Sequence, residues 1–125
     1  MMSENPYPSN VSALPAGSGQ IEVFQFFAGQ DLVVHVTAMK ESCWIYVGRH
    51  DQPMMESLTL TMNGGADSSL MGSNEDGRRM ALHIQKRFKL AACFVSFNGS
   101  PDQALDAEKT IMGELIGRKI DFSKK

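Results

Sequence analysis

Between Ile21 and Met62 the chain falls into four short runs of strand-like residues, separated by brief turn signals. Side chains alternate with period two along a strand, so each run divides into two faces. Residues 31–39 place Leu32, Val34, Val36 and Ala38 on one side and Val33, His35, Thr37 and Met39 on the other. Residues 42–48 place Cys43, Ile45 and Val47 on one side and Trp44, Tyr46 and Gly48 on the other. Both faces of the middle strands are therefore apolar, and each needs its own cover. The links Gly29-Gln30 and Lys40-Glu41 are too short for crossover helices, which makes these strands antiparallel hairpin neighbours. The first strand is expected over 20–28 and the fourth over 56–62.

Asn63 to Asp67 form a turn signal, and Ser68 to Met71 suit a short edge strand. A helix follows, opened by Ser73 with Asp76 three residues on, or by Asn74 as the cap. Its apolar stripe is Gly77, Ala81, Ile84 and Phe88. Residues 91–97 read as a central strand that stops at Asn98-Gly99. Ser100 and Pro101 then start a second helix running to about Gly117, with Ala104, Leu105, Ile111, Met112, Leu115 and Ile116 as its stripe. The expected fold class is α+β, an antiparallel sheet of five to six strands with two α-helices. Two helices cover one face, so the remaining apolar face is expected to serve dimerisation.

The chain has 125 residues, enough for one domain with a real core. Residues 1–19 are rich in Pro, Ser, Gly and Asn and are expected to be a flexible arm, leaving 20–125 as the domain. A formal net charge of −2 gives no long-range attraction to nucleic acid or acidic lipid. No apolar stretch is long enough for a membrane span, and the start lacks a secretory pattern, so a cytoplasmic or nuclear protein is expected. Cys43 and Cys93 both fall in strands and are expected to be reduced, buried thiols.

Candidate chemistry is sparse. Gly72 to Gly77 copies the glycine spacing of a phosphate-binding loop, but Arg78 and Arg79 stand where Lys and Ser/Thr are required. His35, His50 and His83 are scattered, none at ligand spacing with another His or Cys, so no metal site is expected. No nucleophile motif is present, and neither an enzyme nor a cofactor is expected. The first helix carries Arg78, Arg79, Lys86 and Lys89 on one flank, with Leu82 among them. That flank is either a solvated face or a docking stripe for an acidic protein surface. Glu108 projects near the middle of the second helix's apolar stripe. It is expected to snorkel outward, to meet an arginine of the first helix, or to contact a partner. For the dimer interface, the aromatic-rich set Phe24, Phe26, Val33, His35, Trp44 and Tyr46 is favoured. If the helices cover that face, Val34, Val36, Ile45, Val47, Leu58 and Leu60 take its place.

Several segments taken together resemble the proteasome assembly chaperone 4 family. They are Cys43-Trp-Ile-Tyr-Val-Gly48, Leu58-Thr-Leu-Thr-Met62 and Asp67-Ser-Ser-Leu-Met-Gly72, then the helix through Arg87 and Phe94-Val-Ser-Phe-Asn98. The likeness covers about residues 20–120, with the segments in the same order and at similar gaps. It implies a non-enzymatic chaperone that pairs through its sheet with an assembly chaperone 3-like protein and supports the ring of proteasome alpha-type subunits. The chain ends Phe122-Ser-Lys-Lys125 and has no hydrophobic-Tyr-X tail of the kind other assembly chaperones insert between ring subunits, which favours docking by a surface. Spare apolar surface also allows a homodimer of the isolated chain, and the sequence leaves homodimer and heterodimer open. A generic dimeric adaptor and a small-ligand-binding enzyme domain are the alternatives from other functional classes.

Overall fold

The computed structural model describes residues 21–64 and 66–124; the arm expected over 1–19 lies outside them. Strands β1 (Glu22–Ala28), β2 (Leu32–Met39), β3 (Ser42–Arg49), β4 (Leu58–Met62) and β5 (Asp67–Met71) precede helix α1 (Glu75–Phe88). Strand β6 (Ala92–Phe97), a 3-10 turn over Pro101–Gln103, helix α2 (Ala104–Gly117) and a last 3-10 turn complete the chain. The six strands form one sheet in the order β1-β2-β3-β6-β4-β5.

The two short links do make antiparallel hairpins, with Val36 opposite Ile45 in the second of them. One pairing differs from a purely antiparallel sheet. Strand β6 lies between β3 and β4, antiparallel to β4 but parallel to β3. The β4–β5 hairpin and α1 together act as the long crossover that a parallel pair demands. Strand β5 is the short, exposed edge expected of residues 68–71.

Both helices lie on one side of the sheet: α1 crosses β6 and β4, and α2 packs against β1 and α1. Leu32, Val34, Val36, Ile45, Val47, Val95 and Phe97 of the sheet meet Met80, Ile84, Ile111 and Leu115 of the helices, all almost wholly buried. Asn74 is the cap of α1, its side-chain oxygen accepting the Gly77 N–H at 2.8 Å, while Glu75 and Asp76 sit at the positive end of the helix dipole. Met80 and Gln85 join the buried stripe of α1. Gln85 is satisfied there by donating to the Leu90 carbonyl at 2.8 Å. On α2 the buried residues are Ala104, Ala107, Ile111 and Leu115, whereas Leu105 and Ile116 are 58% and 48% exposed.

Polar side chains around β4 and the end of β6 are paired. Thr61 lies under α1 and donates from Oγ1 to the Ala81 carbonyl at 3.1 Å. Ser57 donates to the Phe97 carbonyl at 2.9 Å, and Asn98 Oδ1 accepts from the Glu56 N–H at 2.7 Å. These bonds tie the segment entering β4 to the end of β6, so the non-local strand is held at both main chain and side chain. Gly72 leaves β5 with φ of +60° and the Glu56 carbonyl directly where a side chain would start. Both conditions demand glycine there.

Candidate protein-docking face

The helix-free side of the sheet is apolar. The register places Val23, Gln25 and Phe27 of β1 beside Thr37, His35 and Val33 of β2. Next come Trp44 and Tyr46 of β3, Phe94 and Ser96 of β6, and Leu60 and Met62 of β4. Trp44 and Phe94 stack across the parallel pair with ring centroids 5.2 Å apart, and both are only half-buried. His35, exposed, lies 6.0 Å from the Tyr46 ring. Tyr46 lies back along its strand over Gly48, where a Cβ would collide with the ring. Its hydroxyl donates to the Met54 carbonyl at 2.8 Å and accepts from the Met54 N–H at 3.0 Å. That exchange pins the 50–57 loop against one end of the face. Val23 and Phe27 are 66% and 60% exposed.

The six residues favoured for the interface do not share one surface. Val33, His35, Trp44 and Tyr46 stand on the helix-free side. Phe24 and Phe26 are a correction: they lie opposite Val36 and Val34 and pack against the core under α2. Their rings are 6.1 Å apart, and the Arg118 guanidinium sits 4.1 Å over Phe24. The reason is phase. In β1 the outward set is Val23, Gln25 and Phe27, and it is the pairing register, not residue size, that turns Phe24 and Phe26 to the other side. The alternative set is split as well, with Val34, Val36, Ile45 and Val47 under the helices and Leu60 on the helix-free side.

The two arginines of the basic flank of α1 are neutralised within the protein. Arg78 bonds Asp67 at 3.2 Å and Glu75 at 3.1 Å, and Arg79 bonds Asp76 at 3.1 Å. Leu82 is half-buried, and Lys86 and Lys89 line a shallow basin with Asn63, Gly64 and Gln85. Glu108 meets α1 in two places: Oε2 lies 2.7 Å from His83 Nδ1, and Oε1 lies 3.8 Å from Arg79 Nε. Its side chain is 14% exposed and Oε1 makes no hydrogen bond. The arginine neighbour and the charge in the stripe agree with the sequence; the closer histidine was not anticipated. Because His83 and Arg79 are nearly half exposed, solvent screens the pair. Glu108→Ala is therefore expected to cost only about 1 kcal/mol, read as a lower urea midpoint at unchanged slope.

Cys43 and Cys93 are free, buried and directly opposed on β3 and β6. Burial pushes the Cys43 thiol up to about 12, and burial with the neighbouring Cys43 pushes Cys93 well above its usual range. A raised thiol pKa keeps the folded state protonated, so this contribution to stability is complete below the unfolded thiol's range near ~8.5. It is lost as pH rises toward the folded value. Iodoacetamide at about pH 8 is expected to leave both thiols unmodified until denaturant is added. Labelling of the native protein would contradict their placement. Among the described residues no three His, Cys, Asp or Glu side chains gather as a metal site. Among the described residues no helix is long and apolar enough to cross a membrane.

The arrangement offers chemistry for apolar association, and comparison with solved structures bears on the fold that carries it. The fold is similar to a chain in the crystal structure of a chaperone complex for yeast 20S proteasome assembly, with a TM-score of 0.55. Sequence identity is 16%, over 82% of this chain and 98% of that one. No protein-family model matches the chain, and no curated protein matches it.

Proposed function

We propose that this protein is a non-catalytic chaperone of 20S proteasome assembly that works as one half of a pair. The partner is a second small α+β subunit, similar to assembly chaperone 3, seated on the helix-free face of the sheet. The pair would support assembly of the ring of alpha-type subunits in the cytoplasm and nucleus and then leave. The observation that carries the reading is the face itself: Val23, Phe27, Trp44, Leu60, Met62 and Phe94 stand together on a side that neither helix covers. Six strands about 4.8 Å apart and roughly 20 Å long give a face of about 600 Å² in projection. Side-chain relief brings that toward the ~800 Å² per partner of a standard interface. The shared fold with a chaperone-complex subunit supports the same reading, as does the resemblance of segments 43–48, 58–62, 67–72 and 94–98. Lys86 and Lys89, at the C-terminal end of α1, are suited to an acidic patch on an alpha-type subunit. No cofactor, metal, nucleic acid or membrane takes part.

Depletion of the protein from its own cells tests the assembly role. Incomplete alpha-subunit assemblies are expected to rise and mature 20S particles to fall on native gels. Unchanged 20S levels and intermediates would return the protein to the class of generic dimeric adaptors.

A further inference from the structure

One property of the helix-free face goes beyond its hydrophobicity. Its strand positions are Val23, Gln25 and Phe27, then Val33, His35, Thr37 and Met39, then Ser42, Trp44, Tyr46 and Gly48. The other half adds Ala92, Phe94, Ser96, Leu60, Met62 and Ser68. Not one of these is Asp, Glu, Lys or Arg. Among these strand positions His35 is the single group that gains a positive charge, and it stands near the middle of β2, exposed; His50, in the loop after β3, meets the Phe27 ring edge-on at the rim of the face, with centroids 6.0 Å apart.

The groups that face His35 are known from each neighbouring strand. Gln25 of β1 lies directly opposite it on one side. Tyr46 of β3 lies opposite it on the other, its hydroxyl already engaged by Met54. No carboxylate adjoins it on the sheet. The charged residues of these strands are Glu22, the first of β1, and Arg49, the last of β3, paired with Ala38 and Leu32 on the helix-covered side; Asp31, Lys40 and Glu41 stand in the end turns, and Asp51 bonds Arg49 beyond β3.

We propose that His35 is the specificity-determining residue of this face. In the isolated protein the face closes on a second copy of this chain, another charge-free sheet, and it does so only while the imidazole is neutral. The proposal rests on the reading of this face as a pairing surface. Two copies meet there without charge repulsion, and a face of about 600 Å² in projection approaches the ~800 Å² per partner of a standard interface. Closing removes His35 from water and brings no acid to it. A buried imidazolium without a counter-ion is disfavoured, so pairing favours the neutral form. The sign follows: association is complete above the pH range where histidine titrates and is lost as pH falls through it. A partner with a carboxylate opposite His35 would show the reverse trend, and a partner with a lysine there would be rejected at every pH.

Sedimentation equilibrium of the purified chain at about pH 7.5 and about pH 5.5 tests this, with circular dichroism confirming the fold at both. Wild type is expected to dimerise at the higher pH and to lose at least about tenfold in affinity at the lower. His35→Leu and His35→Gln, which keep His50 and His83, should dimerise equally at both. A wild-type dimer indifferent to pH, or variants that still dissociate in acid, would overturn the role of His35. Trp44→Asp separates that failure from failure of the underlying reading. If Trp44→Asp is monomeric while wild type is pH-indifferent, the face is the pairing surface and His35 does not select. If Trp44→Asp dimerises like wild type, or wild type is monomeric throughout, the second-copy assignment falls with it.

Discussion

Replacement of Trp44 by aspartate is expected to abolish pairing through the helix-free face while leaving the domain folded. Trp44 stands at the centre of that face, on the third strand of six, stacked on Phe94 and half-buried. Central, half-buried tryptophans that can bury completely on association carry a disproportionate share of interface energy, of the order of 2–4 kcal/mol when truncated. An aspartate adds a charge that the partner would have to desolvate. The combined effect should exceed about a hundredfold in affinity. The fold loses one ring stack, about 1 kcal/mol, because none of the helix-side core touches this side of β3. Sedimentation and thermal unfolding of the same sample separate the two effects. A variant that pairs normally would remove Trp44 as an anchor, and one that unfolds would show that the face contributes to the core.

The second large effect belongs to the covered side. Phe97 is 1% exposed at the end of β6, with the first turn of α1 close against it at Gly77. Phe97→Ala leaves a cavity between sheet and helix that neither can fill, because Ser57, bonded to the Phe97 carbonyl, and the capped start of α1 fix the surroundings. The expected loss is about 3–5 kcal/mol, a large part of the ~5–15 kcal/mol total of an ordinary domain. Urea unfolding should show it as a markedly lower midpoint. A loss below about 1 kcal/mol would mean that α1 settles onto the sheet more freely than this packing allows.

Much of this was legible from hydrophobic period and link length. The hairpins β1–β2 and β2–β3 follow from two-residue connections, and the helix-side core from the alternation of Leu32, Val34 and Val36. What stayed hidden was non-local. Nothing in residues 91–97 says that β6 runs between β3 and β4, because parallel insertion is decided by the crossover of α1 and not by the strand's own composition. The outward phase of β1 was equally hidden, since Phe24 and Phe27 are alike by type and only pairing with Val36 and Val33 separates them. Likewise, Leu105 and Ile116 fit the apolar period of α2, yet the helix touches the sheet along Ala104, Ala107, Ile111 and Leu115. A small-residue stripe at Ala104 and Ala107 was the available signal, for it lets the helix approach closely. The charge-free character of the open face was present in the sequence but could be recognised only once the register had been fixed.

The measurement that bears most directly on the central claim is affinity purification of the tagged protein from its own cells, wild type beside Trp44→Asp, with mass spectrometry of what is recovered. The wild type is expected to bring down a second small chaperone of the same fold together with alpha-type proteasome subunits, and the variant to lose the second chaperone. Recovery of a different small partner with no proteasome subunit, or equal recovery by the variant, would contradict that claim.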